Sequence, residues 1–414
     1  MDLDFQLTME VASGNLRGVD SLLAAGACIN GFADSRTRPL LLAAEMGRVE
    51  VLELLVGRGA DLEVASVRET LNDFGIAVIP KGSRALHAAV IGCQEECVRF
   101  LLKAGANPDV IDSRDLSPLM LAFDSAPLVT ELLRGGASPS FSNDDGMTAL
   151  HMSAFHGGSQ DVVDLLLEAA PSMLNQLTED GSTPLAYAAQ EGHDTLVSCL
   201  LAKGASDEAL WSPGGGLCAL WRAVESGHEE IVRKLVEGGL GFTGGGPMRV
   251  LSAMCRASER RLPRILRILL LVEGEARSQY WAGEFMGTLP ILHHAALHGC
   301  LGTVHVALEA GADENLVNDQ GMRPSDMVGI YPPPGTESPE KLRAAIRRML
   351  KRGPAFRARS WAWPRMLGAA CFGHTTATAR RPSSGKREAP LCVRTFRPRC
   401  NRCFTTRFAR YVLK

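Results

Sequence analysis

Aromatic side chains are scarce in this chain of 414 residues: Phe, Trp and Tyr together make up 6% of it. A thick enzyme core leans on aromatic area, so the scarcity points to thin packing between small residues. Long hydrophobic stretches are missing too. The apolar run Ile268 to Val272 falls far short of the ~20 residues that cross a bilayer. The opening Met1-Asp2-Leu3-Asp4 is acidic and leads into no basic-then-apolar pattern, so no signal peptide is expected. Catalytic signatures are also lacking. Gly214-Gly215-Gly216 is not followed by the Gly-Lys-Ser/Thr of a nucleotide loop. His228-Glu229-Glu230-Ile231-Val232 lacks the second histidine of a zinc protease, and no Gly-x-Ser-x-Gly occurs. The expectation is a protein that is not an enzyme, takes no cofactor and has no membrane partner.

The eleven cysteines form no framework. Cys28, Cys199, Cys218 and Cys255 stand singly at apolar positions, and an odd count without a secretion signal fits a reducing compartment, the cytoplasm or the nucleus. The net charge of −2 conceals two opposite halves. Residues 1–340 hold 24 Lys and Arg against 45 Asp and Glu, a balance of −21. Residues 341–414 hold 20 Lys and Arg and one acid, Glu388, a balance of +19. An acidic body therefore precedes a basic tail that almost lacks negative charge.

What the chain does have is internal repetition. Residues 183–205 read T-P-L-A-Y-A-A-Q-E-G-H-D-T-L-V-S-C-L-L-A-K-G-A. Residues 148–167 read T-A-L-H-M-S-A-F-H-G-G-S-Q-D-V-V-D-L-L-L, and 290–312, 39–60 and 85–106 keep the same order. The anchor leucines are Leu7, Leu40, Leu86, Leu119, Leu150, Leu185, Leu220, Leu251 and Leu292. Their spacings of 33, 46, 33, 31, 35, 35, 31 and 41 give a base period of about 33 with two insertions. Length alone suggests about three domains of ~150 residues. The period replaces that count with one continuous stack.

Each unit has a physical reading. Thr183 caps a first helix and Pro184 suits its first turn, where no amide hydrogen is needed. Leu185, Ala188 and Ala189 form a narrow apolar stripe, and Gly192 ends the helix in a left-handed conformation. Leu196, Val197, Leu200 and Leu201 form the stripe of a second helix, ended by Gly204. One such pair cannot bury its apolar face alone, so neighbours must stack.

The T-P-L-H-x-A opening, mid-repeat Gly, Leu-Leu second helix and closing Gly-Ala resemble the ankyrin repeat family. The resemblance covers roughly residues 5–330. It implies an all-α solenoid of about nine to ten helix-turn-helix units. Nine are recognisable, and a half-unit follows at Asn318 to Val328. Three departures are expected to show. The fourth unit, Leu119 to Ala137, is short and carries Pro127 where its second helix should start, so its first helix should be truncated. The eighth, Leu251 to Gly274, lacks the mid-repeat Gly and carries Arg260, Arg261, Arg264 and Arg267. The insertions around Glu63 to Arg84 and Glu275 to Gly287 should project as loops, like the Gly-rich segments Pro213 to Gly216 and Gly244 to Gly246.

The expected organisation is a solenoid over 1–330, then a Pro-rich linker and capping helix over 331–352, opened by Ser338-Pro339-Glu340. An Arg-rich tail that periodicity leaves disordered follows over 353–414.

The resemblance implies a protein-binding surface made by the loop tips and the ends of first helices. Carried onto this chain, it comprises Asp144, Asp145, Met147, Phe155 and His156 in the fifth unit. In the sixth it comprises Glu179, Asp180, Ser182, Gln190 and Glu191, and in the seventh Glu225 and Ser226. The acids among them imply a negative face that prefers a basic partner segment, the chain's own +19 tail included. The resemblance thus implies a non-enzymatic scaffold or adaptor. The alternative is a regulator that binds nucleic acid or zinc through the tail while the repeats dock a protein. Cys371-x-x-His374 and Cys400-x-x-Cys403 have zinc-ligand spacing, and the tail interleaves Arg with aromatics. His293, His294 and His298 also cluster, with Cys300 nearby. The i,i+4 pair lacks an acid partner in sequence, so these histidines read as packing residues.

Overall fold

The computed structural model describes residues 3–31, 38–67, 69–71, 77–206, 218–239, 247–270, 290–328, 330 and 339–352. The tail, the linker 331–338, the second insertion and both Gly-rich segments lie outside the described residues.

Among the described residues, nineteen α-helices form nine antiparallel pairs and a final single helix. First helices pack on first helices of the neighbouring units and second on second, giving two helical layers. The sixth unit shows why. The Thr183 hydroxyl accepts from the Ala186 amide at 3.2 Å. Helix Pro184–Glu191 then buries Leu185, Ala186, Ala188 and Ala189, and Gly192 stops it at φ +83°. Helix Asp194–Ala202 buries Leu196, Val197, Cys199 and Leu200 on the return. A continuous apolar core runs from Leu7 to Ala310, taking in Ile291 and Val306 of the ninth unit, and a second cluster joins Leu292, Val304 and Leu308 to Ile346 and Leu350 of helix Pro339–Lys351. The helix expected after the linker therefore covers the last pair. Loop tips are tied in series: Ser138 N donates to Asp109 Oδ1 at 2.8 Å and Ser206 N to Asn175 Oδ1 at 2.9 Å.

The left-handed turn falls seven residues after the anchor leucine in most units. Gly47, Gly157, Gly192, Gly227 and Gly299 all have positive φ there. In the third unit this position is Cys93, at φ +56°. The adjacent Gly92 is right-handed and is needed for space instead, because a Cβ on it would lie 2.2 Å from the Glu45 carbonyl oxygen.

The fourth unit has the expected short first helix, Pro118–Leu121. Pro127 does not shorten the second, Ala126–Arg134, because it falls in the first turn. In the eighth unit Ser258 replaces the terminating glycine. The helix Pro247–Glu259 therefore runs on, and the left-handed residue becomes Arg261, at φ +59°. The first insertion is more than a loop. Thr70–Leu71 pairs antiparallel with Ala77–Ile79, and the hairpin's base is closed by Ser66 N to Ser83 O and Gly82 N to Ser66 O, both 2.8 Å.

Candidate interaction surface

The histidines of the T-x-L-H position are structural. His151 Nδ1 accepts from the Thr148 amide at 3.1 Å, so Nε2 carries the proton and donates to the Gln176 carbonyl of the following loop at 3.1 Å. His87 repeats this with Arg84 N and Leu116 O, and His293 donates to Met322 O at 3.0 Å. Burial pushes the His87 and His151 imidazoles down to about 4, against the weaker upward pull of these backbone bonds, so both are neutral links between units. His193 and His228 make a second series. Their Nε2 atoms donate to Phe155 O and Gln190 O, the carbonyls at the ends of the preceding first helices, each at 3.0 Å.

Those helix ends carry the expected surface, and the structure divides its residues. Asp144, Asp145, Glu179, Glu191 and Ser226 are exposed. Phe155, His156 and Gln190 are half-buried. Met147 and Ser182 are corrections, because both are buried in the turn before the first helix. Asn143 clamps the Met147 backbone, accepting from its amide through Oδ1 at 2.8 Å. Thr178 Oγ1 accepts from Ser182 N at 3.1 Å. These turns fold inward to present the capping threonine, so the residue before it points into the stack.

Two expected acids are neutralised within the chain. Arg222 Nη2 meets Asp180 Oδ2 at 2.9 Å and Ser182 Oγ at 2.6 Å, and Nη1 donates to Gln190 Oε1. Burial alone would raise the Asp180 carboxyl; hydrogen bonds from Thr178 and Ser182 and the Arg222 charge outweigh it, and its pKa falls below the usual range. Arg256 holds Glu225 low in the same way, chiefly through its hydrogen bond. Among the described residues, the expected acids outside an ion pair are Asp144, Asp145, Glu179 and Glu191, the last accepting from Gln190 Nε2 at 3.1 Å.

Between the acids lies a row of rings that the sequence reading missed beyond Phe155 and His156. Phe123 stacks on His156 at 4.5 Å between centroids, and Phe155 meets Tyr187 edge-on at 6.0 Å. The Arg222 guanidinium lies 5.2 Å from the Tyr187 ring centroid and Arg256 lies 5.3 Å from that of Trp221. The rings of Phe123, Phe155, His156, Tyr187 and Trp221 occupy different offsets from their anchor leucines, so the period does not align them; only stacking does.

The other calls fare differently. Cys371, His374, Cys400 and Cys403 lie outside the described residues, as does the rest of the basic tail. Cys300 precedes helix Leu301–Glu309. The metal-capable cluster among the described residues instead joins His294 and His298 to Glu259. No described helix is long and apolar enough to cross a membrane.

A family model for three copies of the ankyrin repeat matches residues 86–174, 119–209 and 161–244, and a single-repeat model matches 38–66. The mouse B-cell lymphoma 3 protein homolog is 34% identical over 160 residues, 37% of this chain and 35% of its own length. The Ankyrin repeat and KH domain-containing protein mask-1 of Caenorhabditis elegans is 30% identical over 207 residues, 49% of this chain and 7% of its own. The E3 ubiquitin-protein ligase KEG of Arabidopsis thaliana is 24% identical over 325 residues, 75% of this chain and 20% of its own. The chain spans about a third of the length of the first of these relatives and a fifth or less of the other two.

Proposed function

We propose, from the premise that this chain is an ankyrin-repeat protein, that it is a non-enzymatic scaffold binding a protein partner on its first-helix face. A protein-interaction role belongs to the family. The finer assignment places the contact on units five to seven. The observation that carries it is the pairing of fixed rings with exposed acid. Phe155 and Tyr187 are braced by each other and by Arg222, so they offer area at little further entropic cost. Asp144, Asp145, Glu179 and Glu191 are exposed around them. Such a face takes a basic segment, and charge complementarity acts mostly on association rate and specificity.

The basic tail is one segment of the right sign: residues 353–414 hold 14 Lys and Arg against one acid, a balance of +13. Its polypeptide, residues 353–414, is a defined probe. Added in trans, it should bind the chain less tightly as salt rises. Reversal of Asp144, Asp145, Glu179 and Glu191 to Lys should abolish that salt dependence. The same variant should lose any salt-dependent change in compactness seen for the full chain by small-angle scattering. Equal salt profiles for the parent and reversed chains, in trans and in scattering, would overturn the acidic-face assignment.

A further inference from the structure

We infer that Glu259, His294 and His298 form a divalent transition-metal site of the zinc type, joining the eighth unit to the ninth. One potential ligand atom from each residue lies within 4.8 Å of the other two. The carboxylate comes from the end of helix Pro247–Glu259, and both imidazoles come from the end of the neighbouring first helix, Ile291–Leu297, and its C-cap.

The origin of the cluster is legible in the backbone. His294 and His298 are one turn apart, and their rings lie parallel within 13° at 6.1 Å. A helix ending where its neighbours end would stop short of Glu259. The Ser258 substitution at the glycine position lets the helix continue and carries the carboxylate to the pair. Arg261 takes the left-handed turn and donates through Nε to the His298 carbonyl at 3.2 Å, tying the two helix ends together.

The donor set suits zinc. Two imidazoles and one carboxylate are a common three-ligand set, with a fourth position left for water. Zinc holds nitrogen and oxygen ligands at 2.0–2.1 Å, which places ligand atoms about 3.4 Å apart at the tetrahedral angle. Closing from 4.8 Å or less requires movement of side chains, not of helices. His294 Nδ1 is shut off from solvent and has no hydrogen-bond partner among the described residues, a buried nitrogen on one of the three clustered side chains that is otherwise unexplained. Arg256 Nη1 donates to Glu259 Oε2 at 2.8 Å and so orients the carboxylate from outside the cluster. Glu259 also lines a cleft of about 260 Å³ with Ser226, Arg260 and Arg261.

The test uses the full chain with Cys371, Cys400 and Cys403 changed to Ser and His374 to Ala, so that the tail cannot compete. After chelation, Co²⁺ is titrated and followed by absorption, then displaced by Zn²⁺. One equivalent should bind with ligand-field bands and without thiolate charge transfer. Glu259→Gln keeps an acceptor for Arg256, yet should weaken binding by at least ~100-fold, beyond the 10–100-fold typical of an outer-shell partner. His298→Ala should do the same, and circular dichroism checks that both remain folded. Zn²⁺ should raise the melting temperature of the parent and not of Glu259→Gln. Absence of binding in the folded parent, a thiolate spectrum, or unchanged affinity in either folded variant overturns the site.

Discussion

Lowering the pH from 7 to 5 should loosen the stack through its buried histidines, and His151 isolates the effect. In the folded chain burial holds this imidazole down to about 4, against an ordinary value of 6.5. Between those values the unfolded chain takes up a proton that the folded chain refuses, so protons favour unfolding. The stabilisation is fully present above 6.5 and is lost as pH falls toward 4. Integrating the linkage from pH 7 to pH 5 gives about 2 kcal/mol for the one site. His87 acts in the same direction. The assay is urea unfolding followed by circular dichroism at both pH values, for the parent and for His151→Gln. The variant starts less stable, having lost its links to Thr148 and Gln176. Its further loss on acidification should nevertheless be smaller by about 2 kcal/mol. Carboxylates titrate alike in both chains and cancel in the difference. Equal losses, or a parent more stable at pH 5, would refute the reasoning.

The third unit offers a paired test at adjacent residues. Gly92→Ala drives a Cβ into the Glu45 carbonyl and should cost about 1–3 kcal/mol in thermal unfolding. Cys93→Gly relieves a left-handed cysteine and should gain up to about 1 kcal/mol, the backbone relief being partly offset by a freer unfolded chain. The opposite order of effects would show that the left-handed position is misassigned.

Most of the fold was legible because each unit repeats its own reasons. The leucine anchors, the Thr-Pro caps and the Leu-Leu second helices survive translation along the chain, and the core they form is the one the periodicity predicts. Local departures were readable where a backbone rule was broken, as in the short helix Pro118–Leu121. What escaped depends on contacts between units. Met147 and Ser182 look like surface residues by family position, yet the turn that exposes their neighbours buries them. Arg222 reaches back to Asp180 across the unit boundary, and no spacing within one repeat announces that bond. Glu259 lies 35 residues before His294, and its place beside the pair depends on how far one helix runs past its usual stop. The hairpin at Thr70–Leu71 and Ala77–Ile79 interrupts the period, so the repeat carried no information about it.

The central claim is that partners meet the first-helix face of units five to seven. Site-specific photo-crosslinking in cells tests it most directly, with the crosslinking residue placed in turn at Glu191, Ser226, Glu53 and Asp161. All four positions are exposed; the first two end first helices and the last two lie on second helices. The account predicts a reproducible protein adduct from Glu191 and Ser226 that is absent from Glu53 and Asp161. The same adduct from the second-helix positions, with none from Glu191 and Ser226, would contradict it.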